Sequence, residues 1–243
     1  VLFEDHKDKY GNSFCCYCMR RLFLNDTEDK HKKNITYEHI VPHKIKYNEW
    51  QSDKAHYLKF SNLNKKHIAV CFEGKLTNAQ KKVKITGMPY PHFVSYHNLV
   101  ASCNGATFED KTLVNSHCCN NNRQERFVMP IYLSPDLVNG ISYTSKGELD
   151  YDDSVYDCSW FDKKHLNLTN SWITLVRRIW CKISKSGYTD IDVEMARNDK
   201  NLRQNIIDDV DSNNEISSWA DNDIAWNLFS EYNWFYNYYK SRP

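Results

Sequence analysis

The spacing of the cysteines constrains this chain more than any other feature. Nine are present: Cys15, Cys16, Cys18, Cys71, Cys103, Cys118, Cys119, Cys158 and Cys181. Their number is odd and they cluster, whereas a secreted disulfide scaffold is smaller and more evenly spaced. The pattern therefore predicts a reducing compartment, with some thiols on a metal. Cys15-x-x-Cys18 is the spacing at which two thiolates of one tight turn reach one Zn²⁺. One pair needs a second, and Cys103 and Cys119 are the candidates, flanking an expected loop over 104–117. Cys16 is an alternative to Cys15, and His117 or Cys118 to a member of the second pair. Four thiolates leave no position for water, so a zinc there is structural.

At 243 residues, with 41% hydrophobic and 14% aromatic residues, the chain can bury a core as one large domain or two small ones. No apolar run approaches the roughly 18 residues a membrane span needs. Charge enters within the first four residues, so no secretory leader is expected. The net charge is only +1, but it is unevenly placed. Residues 1–130 hold 20 Lys and Arg against 13 Asp and Glu, and residues 131–243 hold 12 against 18. A basic front half fits a phosphate-facing domain, joined to an acidic half with another task.

Along the chain, the knuckle at Cys15–Cys18 leads to a charged loop and then to a β-type run over 35–39 that Pro42 stops. A Lys-rich segment over 44–91 carries no motif and reads as an insertion. A strand is expected to resume over 92–96, and a short helix to run from Cys119 or Asn120 towards Phe127. A short strand over 129–133 follows. Runs over 141–143 and 148–151 read as a β-hairpin with Gly147 in the turn. Trp172, Leu175, Val176, Ile179, Trp180 and Ile183 recur at helical spacing. Arg177 and Arg178 fall on the solvated face of that helix. Leu202, Ile206, Ile207 and Val210 mark a second helix. Ser212-Asn-Asn-Glu215 is a capping-box pattern that predicts the start of a third. The aromatic stripe from Trp219 to Tyr239 reads as core, with a partner interface as the alternative.

Phosphodiester hydrolysis needs a base for water and positive charge for the transition state and leaving oxygen. The chain supplies candidates. His39 is suited to be the base, because an imidazole titrates near neutrality. Glu38 and Asn120 offer the oxygen ligands that Mg²⁺ prefers. Asn98 is placed to hold the loop that aims His39. Arg123 lies one helical turn after Asn120 and can reach a phosphate. His43, after Pro42, either caps the turn or reaches phosphate or metal. Glu38 and His39 are neighbours on a strand and so point to opposite faces. They share a site only if the backbone turns there or a second element wraps round.

Cys-x-x-Cys, Glu-His-x-x-Pro, Asn-Leu, Cys and Cys-Asn-x-x-Arg occur together and in that order. The order resembles the HNH endonucleases, over roughly residues 15–127. The resemblance implies an α+β chain with a ββα-metal core around one divalent ion, Mg²⁺ or Mn²⁺. It implies His39 as general base, Glu38 in place of the usual Asp ligand, Asn98 as the middle asparagine and Asn120 as the third, metal-binding letter. Arg123 replaces a frequent Lys. The two strands are separated by about fifty residues, and the second cysteine pair is not a compact Cys-x-x-Cys. Asn-Leu-Val-Ala-Ser-Cys-Asn-Gly at 98–105 and His-Cys-Cys-Asn-Asn-Asn-Arg at 117–123 are similar to the PtuB branch. This is the HNH subunit of Septu-type and retron-linked anti-phage systems. That branch implies a bacterial, cytoplasmic nuclease acting on DNA with the ABC-type ATPase PtuA, and in some systems with a retron reverse transcriptase complex. The expected division is a zinc-bound nuclease domain over 1–130, a hairpin connector over 131–165 and a helical region over 166–243. A ribonuclease of the same fold and a non-catalytic zinc module remain alternatives.

Overall fold

A computed structural model describes residues 12–24, 33–39, 99–109, 111–114, 117–123, 139–154 and 158–242. The expected insertion over 44–91, Asn98, His43 and the strands expected over 92–96 and 129–133 lie outside these residues, as does any helix beyond Arg123. The architecture is mixed α+β, with small antiparallel strand pairs and several helices. No helix among the described residues is long and apolar enough to cross a membrane.

The front of the molecule is built on β1 (Ile35–His39) paired antiparallel with β2 (Leu99–Cys103), with Ile35 opposite Cys103 and His39 opposite Leu99. In β1 Tyr37 is exposed while Ile35 and Glu38 are buried. Val100, Ala101, Ser102 and Cys103 of β2 are all buried, which its small and β-branched residues allow. The loop expected over 104–117 is instead a second hairpin, β3 (Thr107–Glu109) with β4 (Thr112–Val114). Lys111 at its turn takes φ +65°, a conformation that glycine usually supplies, so the turn carries no glycine signal. The five-residue helix α1 (Cys119–Arg123) follows. The third hairpin, β5 (Ile141–Tyr143) with β6 (Leu149–Tyr151), turns on Gly147 at φ +79°, as the sequence predicts.

The remainder is helical. Its longest member, α2 (Ser171–Lys185), starts where the Asn170 side-chain Oδ1 accepts from the Ile173 amide at 2.9 Å. Trp172, Ile173, Val176, Ile179, Trp180 and Ile183 are buried along one stripe. Next come α3 (Asp190–Met195), opened by a Thr189–Asp192 capping box, and α4 (Lys200–Val210), capped by Asp199. The chain ends in α5 (Asp223–Ser230), capped by Asn222, and α6 (Trp234–Lys240).

Two expectations change here. Ser212–Glu215 does not open a helix. The Asp211 carboxylate accepts from the Glu215 and Ile216 amides at 2.8 and 2.7 Å, holding a turn, and the Glu215 side chain pairs with Arg178. Nor is Arg177 of α2 solvated, and Arg178 is half-buried against Glu215. Arg177 is 0% exposed, donates to the Leu168 carbonyl at 2.9 Å and lies 4.6 Å over the Tyr143 ring. One hydrogen bond and the ring faces stand in for its water, while its Nε and Nη2 have no hydrogen-bond partner among the described residues. The aromatic stripe is core, as its helical spacing predicts. Trp226, Phe229, Tyr232 and Phe235 are fully buried, and Phe229 lies within 4.9–5.4 Å of Trp180, Trp219 and Trp226.

The buried residues of strands, knuckle and helices form one continuous cluster from Phe14 to Tyr239. Arg20 Nε meets Glu231 Oε2 at 2.6 Å between two buried side chains, and the Arg21 amide donates to the Glu231 carbonyl at 2.7 Å. The end of α5 is thereby tied to the knuckle.

Candidate metal centre

The segment Cys15–Cys18 is a tight turn, closed by Met19 N to Cys15 O at 3.1 Å and by Cys15 N to Arg20 O at 2.8 Å. Met19 leaves the turn at φ +60°. A short bridge between Phe14 and Arg21 carries the knuckle. Beyond β2, Gly105 takes φ +71°, and its carbonyl accepts from the amides of His117 and Cys118 at 3.2 and 3.3 Å. A Cβ at Gly105 would stand 2.2 Å from the Cys118 carbonyl oxygen. Only glycine permits this approach, and the approach delivers Cys119 beside Cys103.

The result is a buried group of Cys15, Cys18, Cys103 and Cys119, whose sulfurs all lie within 4.8 Å of one another. These are the four residues the spacing selects. Cys15 Sγ is 3.8 Å from Cys119 Sγ, and Cys18 Sγ is 3.7 Å from Cys103 Sγ. A disulfide needs about 2.05 Å. A tetrahedron with Zn–S bonds of about 2.3 Å has edges of about 3.8 Å, so these two separations match the edges of a zinc site. The Gly105 amide donates to Cys103 Sγ at 3.4 Å, and Ser102 Oγ lies 3.7 Å from Cys15 Sγ. Such partners orient ligand sulfurs and stabilise their charge. Four buried cysteines so arranged can hold a structural metal such as zinc. His117 is turned away to Glu109, at 3.2 Å. Cys118 is buried within hydrogen-bonding reach of Cys103, Cys119 and Cys18. Burial pushes the Cys16 thiol well up.

The clamp places α1 against the strand pair, and one side chain completes the connection. Arg123 is 1% exposed. Its Nη2 donates to the His39 carbonyl at 2.5 Å and meets Glu38 Oε2 at 3.4 Å, and its guanidinium lies 6.0 Å over the ring of Tyr17 in the knuckle. The expected phosphate contact of Arg123 is thus replaced by an internal one. Glu38 is 6% exposed; burial pushes its carboxyl up to about 7, against the opposing pull of Arg123. His39 is half-buried at the end of β1.

The three asparagines of α1 divide their work. Asn121 Nδ2 donates to the Asn104 carbonyl at 2.5 Å, and Asn122 Nδ2 to the carbonyls of Lys163 and His165 at 2.7 and 2.5 Å. The half-buried Asn120 side chain has no hydrogen-bond partner among the described residues. It precedes Arg123 by one helical turn, so it shares the face that Arg123 turns towards β1.

Sequence reading misses Tyr17, which reports only as an unremarkable aromatic between two cysteines, and the Arg20–Glu231 pair, whose members are 211 residues apart. The one available signal is the glycine two positions after Cys103, which marks a close backbone approach. No protein-family model matches this chain, nor does any curated protein or solved structure.

Proposed function

We propose that the chain is a metal-dependent endonuclease of the HNH type. In this reading it is the effector of a bacterial anti-phage system and works with an ABC-type ATPase, in some systems alongside a retron reverse transcriptase complex. The observation that supports the reading most is the Arg123 contact. It joins the Glu38–His39 end of β1 to the helix carrying Asn120, over a four-thiol clamp.

In this reading Glu38 and Asn120 hold a divalent cation through a carboxylate and a carboxamide oxygen, donors suited to Mg²⁺ or Mn²⁺. When bound, the ion supplies charge stabilisation at the phosphoryl and leaving oxygens. His39 Nδ1 or Nε2 accepts a proton from the attacking water, whose oxygen bonds to phosphorus as the bond to the 3′ oxygen breaks. The departing 3′ oxygen takes a proton from solvent, so the products carry a 3′-hydroxyl and a 5′-phosphate. Arg123 positions both neighbours and does not touch substrate.

The test is nicking of plasmid DNA with Mg²⁺ or Mn²⁺, with and without the ATPase, by the native chain and His39→Ala. Metal-dependent nicking that the substitution abolishes is expected. Labelled RNA in the same assay separates a ribonuclease. A second reading, a non-catalytic zinc module, is favoured by the burial of Glu38 and its engagement by Arg123. Equal inactivity of native and His39→Ala chains in every arm selects it.

A further inference from the structure

The outer side of α3 carries two large apolar side chains in water. Val193 and Ala196 are 0% exposed and face the core, and Val193 O accepts from Trp226 Nε1 at 3.1 Å. Ile191 and Met195 stand four residues apart on the opposite side, 66% and 54% exposed. Around them the chain is strongly acidic. Residues 186–224 hold ten Asp and Glu against three Lys and Arg. Each of those three cations already meets an acid: Arg197 meets Glu194, Lys200 meets Asp221 and Arg203 meets Asp223. Glu215 pairs with Arg178, and Asp211 holds its turn. Five carboxylates remain, those of Asp190, Asp192, Asp199, Asp208 and Asp209. None of them has a cationic partner among the described residues. Their side-chain donors are neutral. Asp192 accepts from Thr189 N and Oγ1, both at 2.7 Å, Asp208 from Gln204 Nε2 at 2.7 Å and Asp209 from Tyr188 Oη at 2.9 Å. The Tyr188 phenol marks where the acids of the two helices converge. Its bond to Asp209, with Asp192 and Asp208 close by, pushes its ionisation up.

An exposed apolar pair within an unanswered negative field narrows what can cover it. Nucleic acid and anionic lipid carry the same sign and are repelled. A wholly apolar segment would take water from the carboxylates and return nothing. A basic segment with an apolar anchor satisfies both features. We propose that the outer face of α3 and α4 binds a segment of a partner protein in which lysine or arginine residues flank a large apolar side chain. The apolar side chain covers Ile191 and Met195, and the flanking cations pair with Asp192, Asp208 and Asp209. This surface is independent of the nuclease reading.

The experiment uses the full zinc-loaded chain and follows its methionine and isoleucine methyl signals by NMR. The probe is acetyl-Ala-Lys-Leu-Leu-Lys-Ala-amide, titrated to millimolar concentration. Saturable shifts at Met195 and Ile191 are expected, and added salt should weaken the binding. The peptide with Glu for both Lys should give no saturable shift. Exposed Ile191→Ser, followed at Met195, should weaken binding several-fold while thermal melting stays native-like. Asp208→Asn keeps an oxygen for Gln204 and removes one charge, so it should weaken binding about two- to fivefold, the worth of one exposed ion pair. The proposal is overturned by no saturable shift, by equal binding of the two peptides, or by indifference to Ile191→Ser. It is equally overturned by the same shifts from calcium chloride alone, or by self-association of the chain in sedimentation that Ile191→Ser abolishes.

Discussion

At the residue scale, two arginines show where charge and position were not both legible. Arg123 is recognisable by its spacing from Asn120, but its direction is not, because a helix face has neighbours only tertiary structure defines. Buried against Glu38 and the His39 carbonyl, it supplies the counter-charge of a carboxylate that has lost its water. Arg123→Gln should cost about 3 kcal/mol, the penalty of leaving one member of a buried pair alone, measured by urea unfolding. On the nuclease reading it should also lower activity, with Arg123→Lys recovering part of both. Arg177 misleads in the other direction. Its neighbours in the helical pattern are polar on one side, so a charged residue there reads as solvated. Tyr143 and Phe235 arrive from distant segments to cover it, and nothing local announces them.

At the scale of elements, long periodic segments were readable and short ones were not. The stripe in α2 spans fifteen residues, enough for a 3.6-residue period to declare itself. The strands β3 and β4 have three residues each, too few for an alternation to stand out, and Lys111 hides their turn. The capping pattern at Ser212 failed because Asp211 captures the same amides first. The glycines allow a controlled comparison. Gly105→Ala must force a Cβ into the Cys118 carbonyl at a positive φ, and should cost more than about 2 kcal/mol and reduce retained zinc. Gly187→Ala meets nothing within 4 Å and should change stability by less than about 0.5 kcal/mol. Thermal melts with metal content measured on the same samples check both.

At the scale of the whole molecule, the cysteine spacing was the most informative signal, since it joined Cys15 to Cys119 across the residues outside the described set. Elemental analysis should find about one zinc per chain, and Cys103→Ser should lower that content and the melting temperature together. Metal binding supplies much of the folding free energy of such sites, so a strong chelator should unfold the strand–helix unit, seen as loss of near-ultraviolet dichroism. The other long-range joint, Glu231 to Arg20, was not readable, because an isolated Glu after an aromatic run carries no partner information. Glu231→Gln leaves a buried guanidinium uncompensated and should cost about 3–5 kcal/mol, checked by denaturant unfolding.

That joint also sets an order of events during synthesis. Arg20 leaves the ribosome 211 residues ahead of its acid. A nascent chain can assemble all four sulfurs once Cys119 has emerged, yet it still carries an unanswered cation beside them until Glu231 has followed. A chain that stops short of Glu231 should therefore be the form that proteases recognise, and a chain that includes it the first that escapes them.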